Sequence, residues 1–100
     1  MRRELSLREE AERDIDEAWS RYASLSPNLG DALIEELIET LDYVLEFPAI
    51  YQVLHRTARR AVLHRFPYSV LYSVHAEAIE VVAVFHSHAD LAPILRRAEF

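Results

Sequence analysis

The sequence predicts an α+β protein in which an N-terminal strand and a helical hairpin pack on a mainly antiparallel sheet of about four strands. Three observations carry that prediction. In the first half, two successive segments place apolar residues at steps of three and four, the pattern of amphipathic helices. From Arg59 to His88 the chain instead alternates with period two and is rich in Val, Tyr and Phe, the pattern of strands. That stretch is interrupted only at Pro67 and at His75-Ala76-Glu77, so it divides into three consecutive antiparallel strands.

The elements follow in order. Arg3-Glu4-Leu5-Ser6-Leu7 alternates as a first strand, and Ser6 and Glu9 then have the spacing of a capping box, which predicts a helix from about Leu7. Leu7, Ala11, Ile15, Ala18, Trp19 and Tyr22 share one face of it, with Trp19 as a core residue and Glu10, Asp14, Glu17 and Arg21 off that face. The helix ends near Ser24. A second helix starts at Ser26-Pro27, the hydroxyl as cap and the proline in the first helical position, where its missing N–H costs nothing. Its apolar residues Leu33, Ile34, Leu37, Ile38, Leu41, Val44 and Leu45 cover roughly 140° of arc, wider than the ~100° a surface helix needs. The extra width implies a partner, or burial against both the first helix and the sheet. Phe47-Pro48 stops the helix, since proline disfavours helical backbone in the residue before it.

Tyr51 to Leu54 reads as a short strand or an extended connection. In the strand ending at Val74, Tyr68, Val70, Tyr72 and Val74 share the face that should meet the helices. Ile79 to Phe85 is apolar on both faces and should be central, while Leu71, Val82 and Val84 should leave apolar surface on the outer face of the sheet. Asp90 caps a last helical turn that contains Pro93 and leads to Arg96 and Arg97.

With 100 residues and 51% hydrophobic content, residues 1–100 are expected to form a single domain around one core. Without cysteine no disulfide forms, and no 18-residue apolar run or basic-then-apolar amino terminus is present, so a cytoplasmic protein without membrane contact is expected. The net charge is −6, but residues 1–50 hold 5 arginines against 13 acids and residues 51–100 hold 6 against 4. Such a field argues against coating nucleic acid. All 11 cations are arginines, which excludes a lysine nucleophile or base.

Chemistry concentrates in the strand-rich stretch, which carries four of the five histidines. Arg60 and Arg65 flank one strand and His86 and His88 end another. If those ends meet, two guanidiniums can hold a phosphate while an imidazole moves a proton, a kit for RNA cleavage by 2′-hydroxyl attack. The plainer alternative is that the arginines pair with acids such as Glu80 and the histidines are half-buried polar tips. His86, His88 and Asp90 stand at i, i+2 and i+4. A metal site needs at least three converging ligands with a second shell, and no other His or Cys lies near in sequence, so neither a metal nor a cofactor is expected. Tyr72 reads as core, with Tyr68 open to stacking or proton donation.

The order strand, two helices and three-stranded meander, with Glu12-Arg13-Asp14-Ile15, Phe47-Pro48, Arg59-Arg60, Phe66-Pro67-Tyr68-x-Val70-x-Tyr72-x-Val74 and Ile79 to His86, resembles the RelE/ParE toxins of type II toxin–antitoxin modules. Within that family it looks closer to the ParE, plasmid-stabilisation branch. That resemblance implies a toxin held by a cognate antitoxin in a heterotetramer or larger complex, with DNA gyrase as target and no catalytic residue. Arg59, Tyr68, Arg96 and Arg97 would be binding residues. A RelE-like ribosome-dependent endoribonuclease acting on mRNA through Arg60, Arg65, His86 and His88, or a degenerate toxin that only binds its partner, are the alternatives. The family often has an arginine three residues after its final-strand histidine, and Ala89 stands there instead.

Overall fold

A computed structural model describes residues 2–98. The elements run β1 (Glu4–Leu7), α1 (Glu9–Ala23), α2 (Pro27–Glu46), β2 (Val53–His55), β3 (Ala58–Val62), β4 (Tyr68–Val74), β5 (Ala78–His86) and α3 (Leu91–Arg96). The sheet has five strands rather than four, in the order β1-β5-β4-β3-β2. The strand counted too few is β2, the stretch whose sequence fitted a strand and a connection equally. Only β1 runs parallel to its neighbour, β5; the other pairs are antiparallel. As predicted, β5 has a strand on either side.

Ser6 does not cap α1. It stays in β1 opposite Glu80, and Arg8 is the residue before the helix, without a side-chain cap. Pairing with β5 therefore outweighs the cap, and the helix starts two residues later than the spacing suggests. Ser26 and Pro27 open α2 at the expected place, but the Ser26 hydroxyl makes no capping hydrogen bond, and the helix stops at Phe47. With no glycine available, the turn between β2 and β3 puts Arg56 itself at φ 54°, the left-handed region.

The main core lies between the helical hairpin and one sheet face, joining Ala11, Ala18, Leu33, Leu37, Leu41 and Val44 to Val70, Tyr72, Ile79 and Val81. Burial pushes the pKa of the Tyr72 hydroxyl up to about 12, and that hydroxyl donates to the Pro48 carbonyl at 2.8 Å. Trp19 is not core: 43% of it is exposed, because it lies across α2 at Gly30, where an added Cβ would come within 2.9 Å of Nε1 of the indole. Glycine here lets the two helices approach.

The opposite sheet face is covered, contrary to expectation. Ile94 of α3 is buried there with Ala58, Leu71, Val82, Ala83 and Phe85, flanked by Leu91, Leu95 and Ala98. Val84 is on the helical side instead. The reason is a bulge: Tyr72 pairs with Val81 and Leu71 with Ala83, leaving Val82 as an extra residue in β5. Beyond it the alternation inverts, so Val84 and His86 face the helices and Ala83 and Phe85 face α3.

Candidate functional site

The bulge sets what His86 can touch. It brings that residue opposite Tyr68 on the helical face, with ring centroids 5.4 Å apart, at the end of the sheet where α1 and α3 converge. There a cleft of about 220 Å³ is lined by Asp14, Glu17 and Arg21 of α1, Tyr68, Val84 and His86 of the sheet, and Arg97 after α3. Arg21 donates to the Tyr68 hydroxyl at 3.2 Å. Burial raises the pKa of that tyrosine, partly opposed by the Arg21 charge. Nδ1 of His86 accepts the backbone N–H of His88 at 3.1 Å, so the neutral ring carries its proton on Nε2.

The cleft is held by an ion pair. Asp14 accepts from Arg97 at 2.7 Å and from the backbone N–H of Val84 at 3.0 Å, a position on β5 beyond the reach of β1. The Asp14 hydrogen bond holds the Arg97 guanidinium above its ordinary pKa, and Glu10 adds a second carboxylate at 3.5 Å. Below this, Arg8 grips Glu80 through two donors at 3.0 and 3.1 Å and also donates to the Arg97 carbonyl. Glu80 is thereby held below the usual carboxylate range, Arg8 being the main cause. Because its folded pKa is depressed, the stability it contributes is complete above the unfolded value of about 4.3 and is lost as pH falls through the lower folded value. Acid titration of the melting temperature should show this limb weakened in Glu80→Gln.

Of the four residues of the cleavage kit, Arg60 reaches the Ser87 carbonyl between the two histidines at 3.4 Å, but from the sheet face opposite His86. Arg60 lies on the α3 side, donating from Nε to Ser69 at 3.0 Å and stacking 5.3 Å from the Phe85 ring centroid, whereas His86 is on the helical side of the same sheet. Arg65 is exposed in the turn between β3 and β4, where its backbone N–H and that of His64 donate to the buried carboxylate of Glu36. His88 is exposed, its ring 5.5 Å from that of His86. Of the residues expected to bind a partner, Arg59 donates to the Ala49 and Tyr51 carbonyls, Tyr68 is buried, Arg97 is paired, and Arg96 is exposed, with no ion-pair partner among the described residues. No group of three or more metal-ligating side chains occurs among the described residues.

Sequence reasoning assigned Asp14 no role beyond its place in the family-like motif and left Glu36 unmarked, because they accept from backbone N–H groups 70 and 28 residues away. The one available signal was an acid next to an apolar helical stripe. Among the described residues no helix is long and apolar enough to cross a membrane.

Residues 5–91 match the family model described as the ParE toxin of the type II toxin–antitoxin system parDE. Toxin ParE2 of Mycobacterium tuberculosis, strains CDC 1551 and H37Rv, is 31% identical over 87 residues, spanning 86% of this chain and 83% of that one. Among solved structures, a chain of the chromosomal ParDE system of P. aeruginosa aligns with TM-score 0.70 and 19% identity over 84% of this chain and 95% of that one. A double mutant of E. coli toxin RelE in the free state aligns with TM-score 0.60 and 20% identity over 98% and 95%. A chain of the M. tuberculosis RelBE2 complex aligns with TM-score 0.56 and 18% identity over 86% and 99%. Strand, hairpin and meander thus agree with sequence kinship, and the chain belongs to the ParE toxins of type II toxin–antitoxin systems, within the wider RelE/ParE family.

Proposed function

We propose that this toxin acts in the cytoplasm by binding DNA gyrase, without cleaving RNA, and that a cognate antitoxin neutralises it. What supports a binding mechanism is that the sheet separates the groups RNA cleavage would need: Arg60 and His86 face opposite sides of it, and Arg97, which lines the cleft with His86, is neutralised by Asp14 and Glu10. A nuclease working on ribosome-bound message draws its affinity from many cation–phosphate contacts. Here the net charge is −6, and Ala89 stands three residues after His86, where the family resemblance implies an arginine. A protein target needs only a complementary surface. The antitoxin is supported by the P. aeruginosa ParDE system and the M. tuberculosis RelBE2 complex among the neighbours.

The test is induction in cells with DNA synthesis and translation followed together. DNA synthesis should stall, with DNA-damage signalling, before translation falls. His86→Ala and His88→Ala should weaken the effect only modestly, whereas a nuclease losing its acid or base should lose about 10² to 10⁴ in rate. Early loss of translation with cleaved messages, abolished by either substitution, would assign the RelE-like activity instead. Binding of antitoxin without any toxicity would mark a degenerate toxin.

A further inference from the structure

At the far end of the sheet from the cleft, the last turn of α2 and the segment after it leave apolar side chains in solvent. Phe47 is 47% and Ile50 57% exposed, and Tyr43 and Val53 are exposed as well. These residues belong to one ordered feature. The Tyr43 and Phe47 rings, one helical turn apart, meet at a 54° tilt with centroids 5.1 Å apart, Tyr51 meets Tyr43 edge-on at 6.2 Å, and the Ile50 N–H donates back to the Phe47 carbonyl at 3.2 Å. Beside the aromatic pair runs a groove of about 410 Å³, lined by Glu39, Asp42, Tyr43 and Glu46 with Arg2 at its margin. The Arg2 guanidinium lies against Asp42, 3.3 Å from both its carboxylate and its carbonyl. Glu39 and Glu46 have no cationic partner among the described residues. An arginine side chain thus already sits in this groove, with room and two carboxylates for another.

We propose that this surface is where the antitoxin docks, and that the docking segment is basic and apolar: it presents aliphatic or aromatic anchors to Tyr43, Phe47 and Ile50, and an arginine or lysine to Glu39 and Glu46. The inference rests on the reading of the chain as a toxin held by an antitoxin, and adds the chemistry of the contact. The charge argues for it, because the acidic groove would repel an acidic segment and accept a cation beside aromatic rings. Permanence argues for the antitoxin rather than the target. Rings and an isoleucine exposed together are tolerated on a protein that spends its life covered, and a partner met only transiently leaves them bare.

The test uses the purified 100-residue chain and its cognate antitoxin, with affinity measured by calorimetry at two salt concentrations. Phe47→Ser and Ile50→Ser should each weaken binding at least tenfold, as expected for anchors near the centre of an interface. The double variant Glu39→Gln, Glu46→Gln should weaken it and flatten its salt dependence. Leu25→Ser, an exposed position in the loop before α2 and so at the opposite end of that helix, is the control and should bind as the parent does. Unchanged affinity in Phe47→Ser and Ile50→Ser, with melting temperatures at the parent value, would overturn the proposal. So would tighter binding in the Glu39→Gln, Glu46→Gln variant, which would mean an acidic partner. Because binding is read on purified proteins, a chain that proves harmless to cells would overturn the toxin reading without deciding this test.

Discussion

Val81→Asp should leave the protein unfolded at room temperature, or nearly so. Val81 is fully buried in β5 between Leu7 of β1 and Tyr72 of β4, and packs in the core beneath the helices. Among the described residues no cation belongs to that core, so the new carboxylate either ionises without a partner or shifts its pKa upward until it is neutral, still without hydrogen-bond partners. Either outcome costs several kcal/mol, on the order of the total stability of a domain this size. Circular dichroism of the purified variant decides it. A melting curve matching the parent would mean that β5 is at an edge, contradicting its pairing on both sides.

The second large effect is expected at Asp14. Its carboxylate serves two donors at once, the Arg97 guanidinium and the Val84 N–H, and both lie at the seam between α1, β5 and the C-terminal segment. Removing it leaves a mostly buried cation with only the more distant Glu10 carboxylate, and a buried amide without an acceptor. Asp14→Ala should therefore cost about 2–4 kcal/mol, below the full loss seen when a wholly buried pair is broken because solvent reaches part of this one. Asp14→Asn, which keeps an acceptor for Val84, should cost less. In a double-mutant cycle with Arg97→Ala the two changes should be non-additive by at least about 0.5 kcal/mol, read from denaturant midpoints. Strict additivity would mean that Arg97 and Asp14 stabilise the fold independently.

Both residues show which parts of the fold a sequence can display. The boundaries of α2 were legible because they are local: Ser26-Pro27 and Phe47-Pro48 act through the residues next to them. The bulge at Val82 was not, because Val81-Val82-Ala83-Val84 is apolar throughout and carries no mark of where the alternation inverts. That single residue decides that His86 meets Tyr68 and that Val84 leaves the outer face. The coverage of that face by α3 depends on a short C-terminal helix whose apolar residues, Leu91, Ile94 and Leu95, show no pattern long enough to declare a buried side. Trp19 had the right helical phase for the core, and was displaced outward by its contact with Gly30 on another helix. For the candidate site, the histidines and arginines were visible as residue types, but which sheet face each occupies was set by pairing register.

The most direct measurement is supercoiling of relaxed plasmid by purified DNA gyrase in the presence of increasing amounts of this protein. Inhibition that rises with toxin concentration is expected. It should be reversed by the antitoxin and retained by both Arg60→Ala and His86→Ala. Undiminished supercoiling, together with cleavage of ribosome-bound mRNA that either substitution abolishes, would contradict a gyrase-directed toxin.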